Sequence, residues 1–163
     1  MGVVYNYKSD EPKIQVLHRL SVLHVDLKVP DNTEFEEGEW VGEDANGNAV
    51  KFTNGTTVAS PKMVLTGTDR NDVKEGGVIT AIYGKYRLKT KVYASGQGFA
   101  AKDKVCVLSD GSQAGTGKGV LAKVPGTAGT YLVVGEVVTP PTTDGDWMTV
   151  DIFADFKEEV VSG

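Results

Sequence analysis

Residues 78–93, VITAIYGKYRLKTKVY, alternate with period two, and no helical period fits them. On a strand, Ile82, Gly84, Tyr86, Leu88, Thr90 and Val92 share one face. Lys85, Arg87, Lys89 and Lys91 line the other, with Tyr83 and Tyr93 at either end. A loop, SGQGFAAKD, then leads to a short apolar strand over 104–108 and a turn at Ser109-Asp110-Gly111. The stretch reads as half of a β-domain. It carries a cationic ladder on a chain whose formal net charge is −5.

The rest of the chain follows the same extended pattern. Residues 23–29 alternate with apolar side chains at odd positions, whereas Ile14, Val16, Leu20 and Val22 hold even ones. The change of phase near 21–23 predicts a bulge or a bend. Asn46-Gly47 predicts a tight hairpin joining Trp40-Val41 to residues 49–52, and Asn54-Gly55 repeats the device. Further strands are expected over 62–66, 119–124, 130–138 and 147–153. In the last of these, Met148, Val150 and Ile152 face the core, with Trp147 opposite. About ten short strands separated by turn signals, without αβ alternation, predict an all-β protein. The expected fold is a single compact antiparallel β-sandwich or β-barrel domain over 14–153. An extended N-terminal arm over 1–13 precedes it, and a short tail over 154–163 follows, as a helical turn or disordered chain.

At 163 residues the chain is long enough for one well-buried core. Its acidic balance argues against a general nucleic-acid binder, which needs a net basic footprint. No apolar run approaches the ~20 residues of a membrane span, and the N-terminus lacks the basic and apolar regions of a signal peptide. These features predict a soluble protein made in a reducing cytoplasm. The lone cysteine, Cys106, sits in an apolar run and reads as a buried structural thiol.

Three motif look-alikes lead nowhere. Residues 111–119 evoke a phosphate-cradling loop, but Ser112 stands where its first glycine belongs and Gly119 replaces the magnesium-binding hydroxyl. Residues 96–101 fit the glycine pattern of a dinucleotide site, yet a strand follows where a helix is needed. His18, His24 and Asp26 share parity, but no third histidine exists to complete a metal site. With nucleophilic and acid–base constellations so poorly supplied, the expectation is a protein that is not an enzyme and holds no cofactor or metal.

Two charged features remain. Between residues 31 and 44 lie seven acids and no base, with Trp40 and Val41 among them. Such a run is ordinarily a solvated face. Alternatively it meets the Lys85 to Lys91 ladder, within the subunit or on a neighbouring copy. The ladder itself could guard a sheet edge against aggregation. Tyr83, Tyr86 and Tyr93 beside so many cations favour a docking surface instead, since Arg and Tyr are enriched in interfaces. Residues 1–13, with Val3, Val4, Tyr5 and Tyr7 but no period, read as an arm that orders against something else.

The order of an IYGKYR-KT--Y strand, a D-V-VLSDG hairpin, VGEVV and a closing W-TV-IF strand covers roughly residues 65–153. It resembles the small capsid decoration, or cement, proteins of tailed bacteriophages. The resemblance implies a structural virion protein that binds the outer surface of the assembled head and cross-links neighbouring capsomers. It would be made in the host cytoplasm and reside on the capsid exterior. Its implied partners are the major capsid protein and further copies of itself, as a trimer or dimer, with no nucleic acid and no membrane. Expected capsid or inter-subunit contacts are Tyr5 and Tyr7 of the arm, Trp40, and Tyr83, Lys85, Arg87, Lys89, Lys91 and Tyr93. A second class is a carbohydrate-binding or receptor-binding β-domain using Trp40, Trp147 and Tyr131. A tail or tube subunit is a third.

Overall fold

A computed structural model describes residues 12–52, 60–67, 77–109 and 118–162. Among them are nine strands and no helix: β1 (Ile14–Lys28), β2 (Trp40–Glu43), β3 (Ala49–Val50), β4 (Lys62–Thr66), β5 (Val78–Thr90), β6 (Lys104–Ser109), β7 (Gly119–Lys123), β8 (Gly129–Thr139) and β9 (Met148–Val161). Seven of them close an antiparallel barrel in the order β5-β4-β2-β7-β6-β8-β9 and back to β5. β1 pairs with β5 outside that ring, and β3 pairs with β2. Of the two expected architectures, the barrel is the one adopted.

β5 is the seam. β1 runs along its whole length and occupies one hydrogen-bonding edge. A strand has only two edges, so β4, paired with β5 at 80–82, and β9, paired at 86–90, share the other. They part at residues 83–85, leaving a fork. β9 also bulges there, because four of its residues, 153–156, face the single residue Val134 between two paired stretches of β8.

The even face of β5 turns inward, as its alternation predicts. Ile82, Tyr86 and Leu88 join Trp40, Met63, Leu121, Val134, Met148, Val150 and Ile152 in the barrel core. A second core lies outside the barrel, where Leu27, Val29, Phe35, Val41, Ala49, Val64, Ile79 and Ala81 cluster. Neighbouring residues on one strand serve different cores: Trp40 and Val41 on β2, Met63 and Val64 on β4, Ile82 and Ala81 on β5. Burial on both faces explains why the 62–66 segment is continuously apolar at its centre.

The phase change expected near 21–23 is not a bulge: pairing with β5 is regular from Ser21 to Lys28, and the change marks the passage from the barrel core, which Val22 packs against, to the second core, which Val25 and Leu27 join; the ladder slips earlier. The register skips Leu17, between Val16 and His18, and Leu20, between Arg19 and Ser21. Opposite this stretch, Gly84 takes φ of +120°, and a Cβ there would run into the Ser21 carbonyl oxygen. The tail corrects an expectation. Residues 157–161 are neither helical nor disordered; they extend β9 and pair with 129–133 of β8, whose first turnless residues need backbone partners. The Asn46-Gly47 hairpin forms between β2 and β3. The Asn54-Gly55 turn and most of the arm, with Tyr5 and Tyr7, lie outside the described residues.

Candidate functional site

The outward face of β5 is a pre-arranged cationic row. Arg87 lies opposite Asp151 of β9 in the register and grips it with two bonds, Nε to Oδ1 at 2.7 Å and Nη2 to Oδ2 at 3.1 Å. The hydrogen bond to Asp151, then its charge, holds the Arg87 guanidinium above its already high pKa. Lys89 and Lys91 reach over the ring of Trp147, their ammonium nitrogens 5.5 and 5.1 Å from its centroid. Trp147, immediately before β9, and Asp151 on it share the parity opposite buried Met148, Val150 and Ile152, as the sequence predicts. Lys85 is exposed and has no partner among the described residues. Tyr83 is exposed, with the Lys62 ammonium 5.5 Å over its ring.

Guarding an edge is not what Arg87 and Lys89 do. β5 is an interior strand, bonded on one edge throughout and on the other except at the fork.

Two expected contact residues lie inside. Trp40 is 1% exposed, set between Met63 and Gly119 with its ring 6.4 Å from that of Phe156. It packs the core because β2 is covered on both faces, so the acids around it do not carry it to the surface. Tyr93 is also buried. β5 ends at Thr90, whose hydroxyl accepts the Val92 N–H, and the alternation lapses beyond it. The Tyr93 hydroxyl donates to the Asp146 carbonyl at 2.6 Å and accepts the Gly145 N–H at 2.8 Å, while its ring meets Phe99 edge-on. The phenol clamps a loop.

The acidic stretch is not the ladder's partner within the subunit, and it is a solvated face only in part: Asp31, Glu34, Glu43 and Asp44 are exposed, whereas Glu36 is half-buried and Glu37 and Glu39 are buried. Lys118 and Lys13 bind Glu36 at 2.7 and 3.5 Å, Lys51 binds Glu39 at 3.0 Å, and Lys62 binds Glu43 at 3.3 Å. Partial burial pushes the Glu36 carboxyl up, but its bonds to Lys118 and Lys13 outweigh that and leave it below the ordinary range. Glu39 is fully enclosed; burial pushes it up to about 7 against the pull of Lys51. Cys106 is buried as expected, its thiol pushed up by burial to about 11.

The fork forms a cleft of about 940 Å³ that sequence reasoning missed. Val25, Tyr83 and Gly84 make one wall, Asp155, Phe156 and Glu158 the other, and Pro61 and Lys62 lie between. A neighbouring groove of about 520 Å³ starts one residue further along β5, lined by His18, Leu20, Lys85, Arg87 and Phe153. Only the register brings these residues together. Among the described residues no group of three or more His, Cys, Asp or Glu could hold a metal ion.

Fold and face together define a seven-stranded antiparallel barrel presenting a braced cationic row. In comparisons with known proteins no family model matches the chain, and neither a curated protein nor a solved structure is significantly similar to it.

Proposed function

We propose that this chain is a structural virion protein that docks on the outer surface of an assembled phage head and cross-links neighbouring capsomers. The observation that carries this is the row Arg87 and Lys89 on an interior strand and Lys91 just past its end, fixed by Asp151 and Trp147. Long cationic side chains ordinarily lose rotamer freedom on binding, and bracing them beforehand lowers that cost. Opposed charge then sets orientation and rate of docking, while buried apolar and aromatic contacts supply affinity. Repetition over a shell multiplies weak contacts. The resemblance of residues 65–153 to decoration proteins supports the same role.

Co-sedimentation with expanded heads lacking the protein tests it. Saturable binding at a fixed ratio to the major shell subunit is expected; no binding at any ratio overturns it.

One observation favours a carbohydrate- or receptor-binding module instead. The fork cleft joins Tyr83 and Phe156 to the carboxylates of Glu43, Asp155 and Glu158. The tryptophans no longer serve that reading as platforms, since Trp40 is buried and Trp147 lies under two lysines. Trp40 still touches Phe156, so quenching of its emission by a surface polysaccharide would mark this function.

A further inference from the structure

The strands on the two sides of the fork carry opposite character. On the β1–β5 side, Leu20 and Leu23 are 71% and 59% exposed, beside exposed Tyr83 and the unpartnered Lys85. Leu23 lies directly opposite Tyr83 in the register. Leu20 is a bulge residue skipped by the ladder, so the backbone itself turns a large apolar side chain toward water. Leu17, the other bulge residue, is exposed too. Single exposed apolar residues are ordinary, but several along one strand beside an aromatic ring make a patch.

On the β9 side, Asp155 and Glu158 are exposed and have no ion pair or hydrogen bond among the described residues. Val160, two residues on, is 75% exposed. The hairpin end that carries them, 129–133 paired with 157–161, runs beyond the stretch where β9 is bonded to β5.

We propose that these two sides form an interface between two copies of this chain. Asp155, Glu158 and Val160 of each copy pack on Leu20, Leu23 and Lys85 of the other, about a two-fold axis beside the fork. Lys85 and the two acids are uncompensated among the described residues, although they line adjacent openings, Lys85 the groove and the acids the fork cleft. A two-fold rotation about an axis between these openings lays each side on its complement, and does so twice, which makes the contact isologous and closed. The leucines and Val160 supply apolar burial, and the charges fix the register. Lys89 and Lys91, which line neither opening, stay outside the contact. The inference therefore does not rest on head docking, and its test contains no heads.

The experiment is the mass of the full chain by sedimentation velocity and light scattering over a concentration series. The wild type is expected to be a dimer that dissociates on dilution. Lys85→Glu and Glu158→Lys should each weaken the dimer about tenfold, roughly the effect of 1.4 kcal/mol. An equimolar mixture of the two should restore it, because each contact then again opposes unlike charges. Leu20→Ser should favour the monomer with an unchanged far-UV spectrum. A wild type that is monomeric throughout overturns the proposal, as does an oligomer that neither reversal weakens.

Discussion

Glu39 is the most exacting test of how the acidic stretch is built into the fold. Its carboxylate is enclosed and bonded to Lys51 through both oxygens at 3.0 Å, yet burial outweighs that pair and pushes its pKa from 4.5 to about 7. The folded chain therefore binds this proton more tightly than the unfolded chain. The stabilisation is fully present below about pH 4.5 and is lost as pH rises through about 7. At about 1.4 kcal/mol per pKa unit the loss is about 3 kcal/mol. Glu39→Gln removes the titration while keeping the shape. Urea unfolding of both proteins across this range should show the wild type losing about 3 kcal/mol relative to the variant. The offset between the curves includes Lys51 left without its carboxylate, so the slope is what is read. Parallel curves would refute the reasoning, for they would mean that Lys51 keeps Glu39 ionised and burial does not govern it.

Other predictions follow from the core and the face. The Tyr86 hydroxyl is buried without a hydrogen-bond partner among the described residues, so Tyr86→Phe should stabilise the fold by about 1–2 kcal/mol, read as a higher urea midpoint at unchanged slope. Gly84→Ala combines a left-handed φ with a collision at the Ser21 carbonyl and should cost on the order of 3 kcal/mol, measured the same way. The Arg87–Asp151 pair is 36% and 44% exposed, so solvent screens it and Asp151→Asn should leave the thermal midpoint nearly in place.

Alternation was the legible signal. It placed the inward face of β5, the hairpin at Asn46-Gly47, and Met148, Val150 and Ile152 in the core. It failed where a strand is buried on both sides. Trp40 and Val41 serve two cores, and no pattern of period two separates such a strand from a half-exposed one. Tyr93 was misplaced because alternation ends with the hydrogen-bonded strand, and Thr90 ends it. The tail misled for another reason. Residues 157–161 owe their extended form to the free edge of β8, a tertiary demand that local propensity does not carry. Likewise the ladder lysines were plain in the sequence, whereas Asp151 and Trp147 beneath them, and the fork at 83–85, depend on which strands neighbour β5.

Docking by the braced row is most directly tested by reversing its lysines while sparing Lys85 and Arg87. Lys89→Glu and Lys91→Glu in one chain should leave a folded protein of unchanged self-association. Its co-sedimentation with heads should weaken, and the dependence of binding on salt should become shallower. Binding of wild-type strength with the wild-type salt dependence would contradict the account.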